Sequence, residues 1–140
     1  MGALATAFQA ISDAITDNTA LKLSPTTINA RTVPNSGTNG TFSIDMQTTN
    51  SNKGRDRASI RLEHSVKISV LWRRKLNNQL QSALDSLDIE ETVLDALMNQ
   101  SNLPGLSVFY VGANRSLIGS EEYKLIEISF KIAQEIAITS

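Results

Sequence analysis

Hydrophobic positions recur along the chain at different spacings, and each spacing names an element. Leu4, Phe8, Ile11 and Ile15 stand four, three and four residues apart, which predicts one helical stripe over about residues 3–17 with Asn18 as its stop. Phe42, Ile44 and Met46 alternate with Ser43, Asp45 and Gln47 and predict a strand. A longer alternation follows, in which Ile60, Leu62, His64, Val66, Ile68, Val70 and Trp72 oppose Arg61, Glu63, Ser65, Lys67, Ser69, Leu71 and Arg73. Strict alternation over that length predicts one buried face and one wet or partner-facing face. Then the period lengthens. Leu76, Leu80, Ala83, Leu84 and Leu87 run at helical spacing, and Asp88 with Glu91 forms a capping pair able to restart a helix carrying Val93, Leu94, Leu97 and Met98. The pattern fits one bent helix or two, ended by Leu103-Pro104-Gly105. Residues 106–111 read as a short covered strand and 112–120 as a turn. Ile126, Ile128, Phe130, Ile132, Ile136 and Ile138 mark a last long strand.

This order predicts an α+β fold: an antiparallel or mixed β-sheet with long strands, flanked on one side by an N-terminal helix and a central helix or helix pair. No repeat or boundary divides the chain, so residues 1–140 form a single domain. Residues 24–59 are rich in Ser, Thr and Asn and punctuated by Pro25, Pro34, Gly37, Gly40 and Gly54. Within them the polar stretch 48–57 reads as an exposed, mobile loop.

Composition narrows the chemistry. The chain has 140 residues, of which 41% are hydrophobic and 19% charged, with no cysteine and one histidine. Disulfides, thiolate metal sites, cysteine nucleophiles and sites built on two histidines are excluded. No apolar run approaches the roughly 20 residues that span a bilayer, and the N-terminus lacks the basic start of a secretory leader. No phosphate-binding glycine loop, nucleophile elbow or His-Glu-x-x-His pattern occurs. His64, alone on the apolar face of the long strand, reads as a hydrogen-bonded core residue. Glu90 with Glu91 and Glu121 with Glu122 are adjacent pairs whose side chains diverge, and they read as solvated carboxylates. The chain is expected to be no enzyme and to need no cofactor or metal.

Charge is distributed in blocks. Residues 51–75 hold eight basic residues against Asp56 and Glu63, whereas residues 76–140 hold three basic and nine acidic ones. A net charge of −1 hides this asymmetry. It points first to head-to-tail self-association, with complementary charge setting register. Arg61 and Lys67 on the wet strand face are the basic interface candidates, and Asp85 and Asp95 on the helix are the acidic ones. Lys53, Arg55 and Arg57 offer a second possibility, non-specific phosphate contact with passing DNA, with no aromatic residue to stack on bases.

The amphipathic helix from Leu4 to Ile15, the polar hairpin region from Phe42 through Arg57, the strand running into a helix (Val66-Lys-Ile-Ser-Val-Leu-Trp-Arg-Arg-Lys-Leu76) and the closing strand Ile126-Glu-Ile-Ser-Phe-Lys-Ile132 together resemble the small tail terminator, or tail-completion (tail-to-head joining), proteins of long-tailed bacteriophages. The resemblance covers most of the chain and is one of size, element order and texture. It implies a virion structural protein at the head–tail junction, assembled in the host cytoplasm. Its homo-oligomeric ring, a hexamer, would cap the tail tube, stop tube polymerisation and meet the head connector or head-completion protein, with DNA passing through the lumen. Lys53, Arg55 and Arg57 would then suit the lumen or a partner-docking loop, and no membrane is involved. The alternative is a small non-catalytic α+β protein-binding module, dimeric through its long strands.

Overall fold

The alternation of the long strand decides the architecture. In the computed structural model, which describes residues 2–35, 37–53, 59–119 and 122–137, the elements are α1 (Ala3–Asn18), β1 (Lys22–Leu23), β2 (Thr41–Lys53), β3 (Ser59–Arg73), α2 (Gln79–Met98), β4 (Leu106–Ile118) and β5 (Tyr123–Ala137). The five strands form one sheet in the order β1-β2-β3-β5-β4. The two-residue β1 runs parallel to β2, and every other pairing is antiparallel. The fold is α+β with a mixed sheet.

One sheet face carries the core. Phe42 pairs with Val70, Ile68 with Ile128, and Val66 with Phe130. Ala7, Ile11, Ala14 and Ile15 of α1 and Val93 and Leu97 of α2 pack onto that same cluster. Of the predicted stripe, Ile11 and Ile15 face the core, whereas Leu4 is 49% exposed and Phe8 is partly exposed, and the small Ala7 and Ala14 complete the buried side. The Asn18 amide donates back to the Ala14 carbonyl, and the Thr19 hydroxyl to that of Ile15, where the helix stops.

The Ser/Thr/Asn-rich segment 24–39 covers part of the opposite face. Ile28 is buried there against Leu71, Tyr123 and Leu125, and its amide donates to the Ser43 hydroxyl at 3.0 Å. Leu71, assigned to the wet side by alternation, is thereby fully covered. Farther along, Pro34 closes on the β4–β5 turn, where Gly119 has φ +61° and a Cβ would lie 2.4 Å from the proline ring.

Two strands run farther than their hydrophobic pattern. Residues 48–53, expected in a loop, are the outer half of β2, paired with β3 from Ser65 to Ile60. The remainder of that loop, 54–57, lies outside the described residues. A bulge at Gln47 shifts the alternation by one, so Thr49 and Ser51 take the side that Met46 and Ile44 hold below them. Backbone pairing continues there without an apolar face to announce it. In the same way, residues 112–118 are the second half of β4 and no turn, beyond a bulge at Val111. His64 stands where the apolar core gives way to this polar extension. It is 1% exposed, with Nδ1 2.9 Å from the Thr49 hydroxyl and Nε2 3.1 Å from the Gln134 carbonyl oxygen.

Residues 79–98 form a single helix. Its N-cap is Asn78, whose side chain accepts from the Gln81 amide. Asp88 and Glu91 lie exposed within it and cap nothing.

Candidate assembly surfaces

The buried face of α2 is not its leucine stripe. Ser82, Ser86, Glu90, Val93, Ala96 and Leu97 face inward, while Leu80 is 74% exposed and Leu84 and Leu87 are about half exposed. The inward polar groups are all engaged. Ser82 accepts from the Lys75 amide, Ser86 from the Lys124 ammonium, and Glu90 from two nitrogens of Arg115 at 2.7 Å each. These hydrogen bonds hold the Arg115 guanidinium above its ordinary pKa. Glu90, expected as a solvated carboxylate, is 4% exposed, because Arg115 lies on the helix-facing side of β4. Its neighbour Glu91 is exposed on the outside of α2, so the pair diverges as expected. The polar spacing Ser82, Ser86, Glu90 was the available signal for this inversion, overshadowed by the stronger leucine period.

Beside α2 the sheet ends in an open edge. β4 pairs with β5 on one side alone and exposes Phe109, Tyr110, Val111 and Leu117, with Val111 at 60%. Tyr110 meets Phe130 edge-on, with ring centroids 5.9 Å apart. Leu97 and Met98 of α2 share a groove of about 580 Å³ with Leu106, Val108 and Phe109 of β4. Asn99, Gln100 and Ser107 line the same groove.

Charges sort differently in space than along the chain. Neither helix contains a basic residue, and together they carry Asp13, Asp17, Asp85, Asp88, Glu90, Glu91 and Asp95. Asp85 meets Lys75 at 3.5 Å and Glu90 meets Arg115; the other five have no ion pair among the described residues. Asp95 belongs to this acidic layer. Arg61 and Lys67 lie on the opposite sheet face, where Arg61 is 3.8 Å from Glu63 and Lys67 is 2.9 Å from Glu127 of β5. The basic and acidic blocks of the sequence therefore meet partly within one subunit. The other described bases of the 51–75 block lie toward the two ends of the β2–β3 pair; β3 has 15 residues and at about 3.3 Å each spans on the order of 45 Å. Lys53 ends β2 at the hairpin end, and Arg55 and Arg57 lie outside the described residues. Arg73, Arg74 and Lys75 line a cleft of about 590 Å³ at the other end, together with Trp72, Leu76, Asp85 and Glu122.

Among the described residues no cluster of three His, Asp or Glu is placed to hold a metal, and no helix is long and apolar enough to cross a membrane. No protein-family model and no curated protein matches the chain.

Proposed function

We propose that the chain is a virion structural protein of the tail-terminator kind, whose copies form a ring that caps a phage tail tube, ends its polymerisation and joins the tail to the head connector. The observation that carries this reading is the open β4 edge, which exposes Phe109, Tyr110, Val111 and Leu117. An open edge with exposed apolar residues is a template for another chain, and monomeric domains blunt or cover such edges. The rest of the subunit is unlike this edge: an acidic helix layer, a charge-balanced sheet face and a basic end. Unlike surfaces join head to tail, and such contacts close into rings when the rotation allows.

Capping then follows from shape. The ring matches the growing end of the tube on one face and does not repeat that surface on the other, so addition of tube subunits stops. Lys53, Arg55 and Arg57, three positive charges within five residues of the sequence leading from β2 to β3, are suited to non-specific, salt-sensitive contact with DNA in transit. Six copies, a site at the head–tail junction and assembly in the host cytoplasm belong to the same reading. A dimeric binding module is the second reading, favoured by the ability of an open β4 edge to pair antiparallel with its own copy.

The test is tube assembly followed by electron microscopy. Tail-tube protein polymerised with this chain should give tubes of arrested length with a ring at one end. Tubes that elongate unchanged in its presence would overturn the reading.

A further inference from the structure

α2 presents an outward face that nothing among the described residues covers. At about 100° per residue, Leu80, Leu84, Leu87 and Glu91 fall within one sector of about 60°, opposite the buried Ser82, Val93 and Leu97. Asp88 and Asp95 border that sector on the flank where α1 ends, since Asn18 shares a depression with Thr92 and Asp95. The face is thus a leucine ridge in its first half and carries Glu91, the bordering Asp95 and, at its end, the half-exposed Met98 in its second, on a helix without a single base. Exposed leucines over buried serines reverse the usual amphipathic order, and the reversal marks a face built for a partner.

The segment leaving β3 has the complementary make-up. Trp72 is half-buried, Arg73 and Lys75 are exposed, and Leu76 is 55% exposed, all lining the same cleft with Arg74. We propose that this segment of one copy seats on the outer face of α2 of the next, Leu76 against Leu84 and Leu87, and the Arg73–Lys75 run over Asp88, Glu91 and Asp95. The occupant is a second copy because the charges match: three consecutive bases meet a base-free acidic helix. Duplex DNA would match the bases but would offer exposed Leu76 no apolar counterpart, which Leu84 and Leu87 do. The joint rests on the ring reading and supplies its contact.

Charge exchange tests it. One variant carries Arg73→Glu and Lys75→Glu; the other carries Asp88→Lys, Glu91→Lys and Asp95→Lys. Each alone repels its own copy at the joint, whereas a mixture restores both halves of every joint in alternating order. Sedimentation at low salt should show at least tenfold weaker self-association of each variant, wild-type assembly in the equimolar mixture, and unchanged circular dichroism throughout. Wild-type rings that persist in both single variants would overturn the joint and leave the ring reading standing. If they persist while duplex DNA retention falls with the Arg73 variant alone, the segment belongs to nucleic acid, and the joint is equally overturned. A wild-type chain that forms a two-fold dimer, or that stays monomeric at every concentration and forms no ring when tail tubes are added, would remove the ring reading and the joint with it.

Discussion

Glu90 of α2 and Arg115 of β4 are joined by two parallel hydrogen bonds, Nε to Oε2 and Nη2 to Oε1, each 2.7 Å long. With Ser82 and Ser86 they dock the first half of α2 through polar contacts. Removing one partner strands the other. Arg115→Ala should cost about 2–3 kcal/mol, below the usual figure for breaking a buried pair, because water reaches the 42% exposed arginine side chain. Replacing both residues by leucine should recover most of that loss. Urea unfolding of the two variants decides it.

Ile28 anchors the segment that crosses the far face of the sheet. Ile28→Ala should destabilise by about 2–4 kcal/mol through the lost burial and the cavity left behind. Ser43→Ala leaves the Ile28 amide without its acceptor, at about 1–3 kcal/mol. Thermal melts should rank the two in that order, with each loss lying well above that of an exposed substitution.

Gly105 and Gly119 both have positive φ, +80° and +61°, but only Gly119 faces an obstacle, the ring of Pro34. Gly105→Ala should cost about 1 kcal/mol for the left-handed backbone. Gly119→Ala should cost clearly more, since Pro34 or the turn must also move. Equal losses in chemical denaturation would contradict the packing of Pro34 on that turn.

Elements with a wet side and a dry side were legible in the sequence. The α1 stripe and the alternations of β3 and β5 foretold the helix, the long strands and the class of the fold, because each buries one face against the common core. The outer halves of β2 and β4 were not legible. Beyond the bulges at Gln47 and Val111 they are held by backbone pairing, which leaves little mark on side-chain pattern. The burial of Leu71 depends on Ile28, forty-three positions earlier in the chain, and no local window contains both. The leucines of α2 spelled out a helix correctly, while which side faced inward was set by Arg115 and Lys124 on distant strands. Among the candidate residues, Asp95 lies in the base-free helix layer. Arg61 and Lys67 have partners within the subunit: Glu63 shares the strand face of Arg61, as the alternation implies, whereas Glu127 meets Lys67 from β5, sixty positions away.

Leu84 and Leu87 contribute little to the fold and, in the proposed joint, much to assembly. Leu84→Ser with Leu87→Ser should change unfolding free energy by no more than about 0.5 kcal/mol per site. The same variant should lose the assembled species in sedimentation. A large fall in stability would show instead that these side chains serve the core.

Arg61 and Lys67 give the converse. Their ion pairs with Glu63 and Glu127 are partly exposed, so Arg61→Glu with Lys67→Glu should lower stability by about 1–2 kcal/mol in all, allowing for the like charges created. Assembly should persist, because the joint draws on Arg73 and Lys75. Loss of assembly at unchanged stability would move the basic side of the joint to the sheet face.

The central claim is that copies of this chain close into a ring, and the direct measurement is the mass of the purified protein in solution across concentration and salt, with negative-stain images of the same samples. The account predicts a closed ring of one defined mass that dissociates as salt screens the joint. A stable two-fold dimer, or a monomer at every concentration that still forms no ring when tail tubes are added, would contradict it.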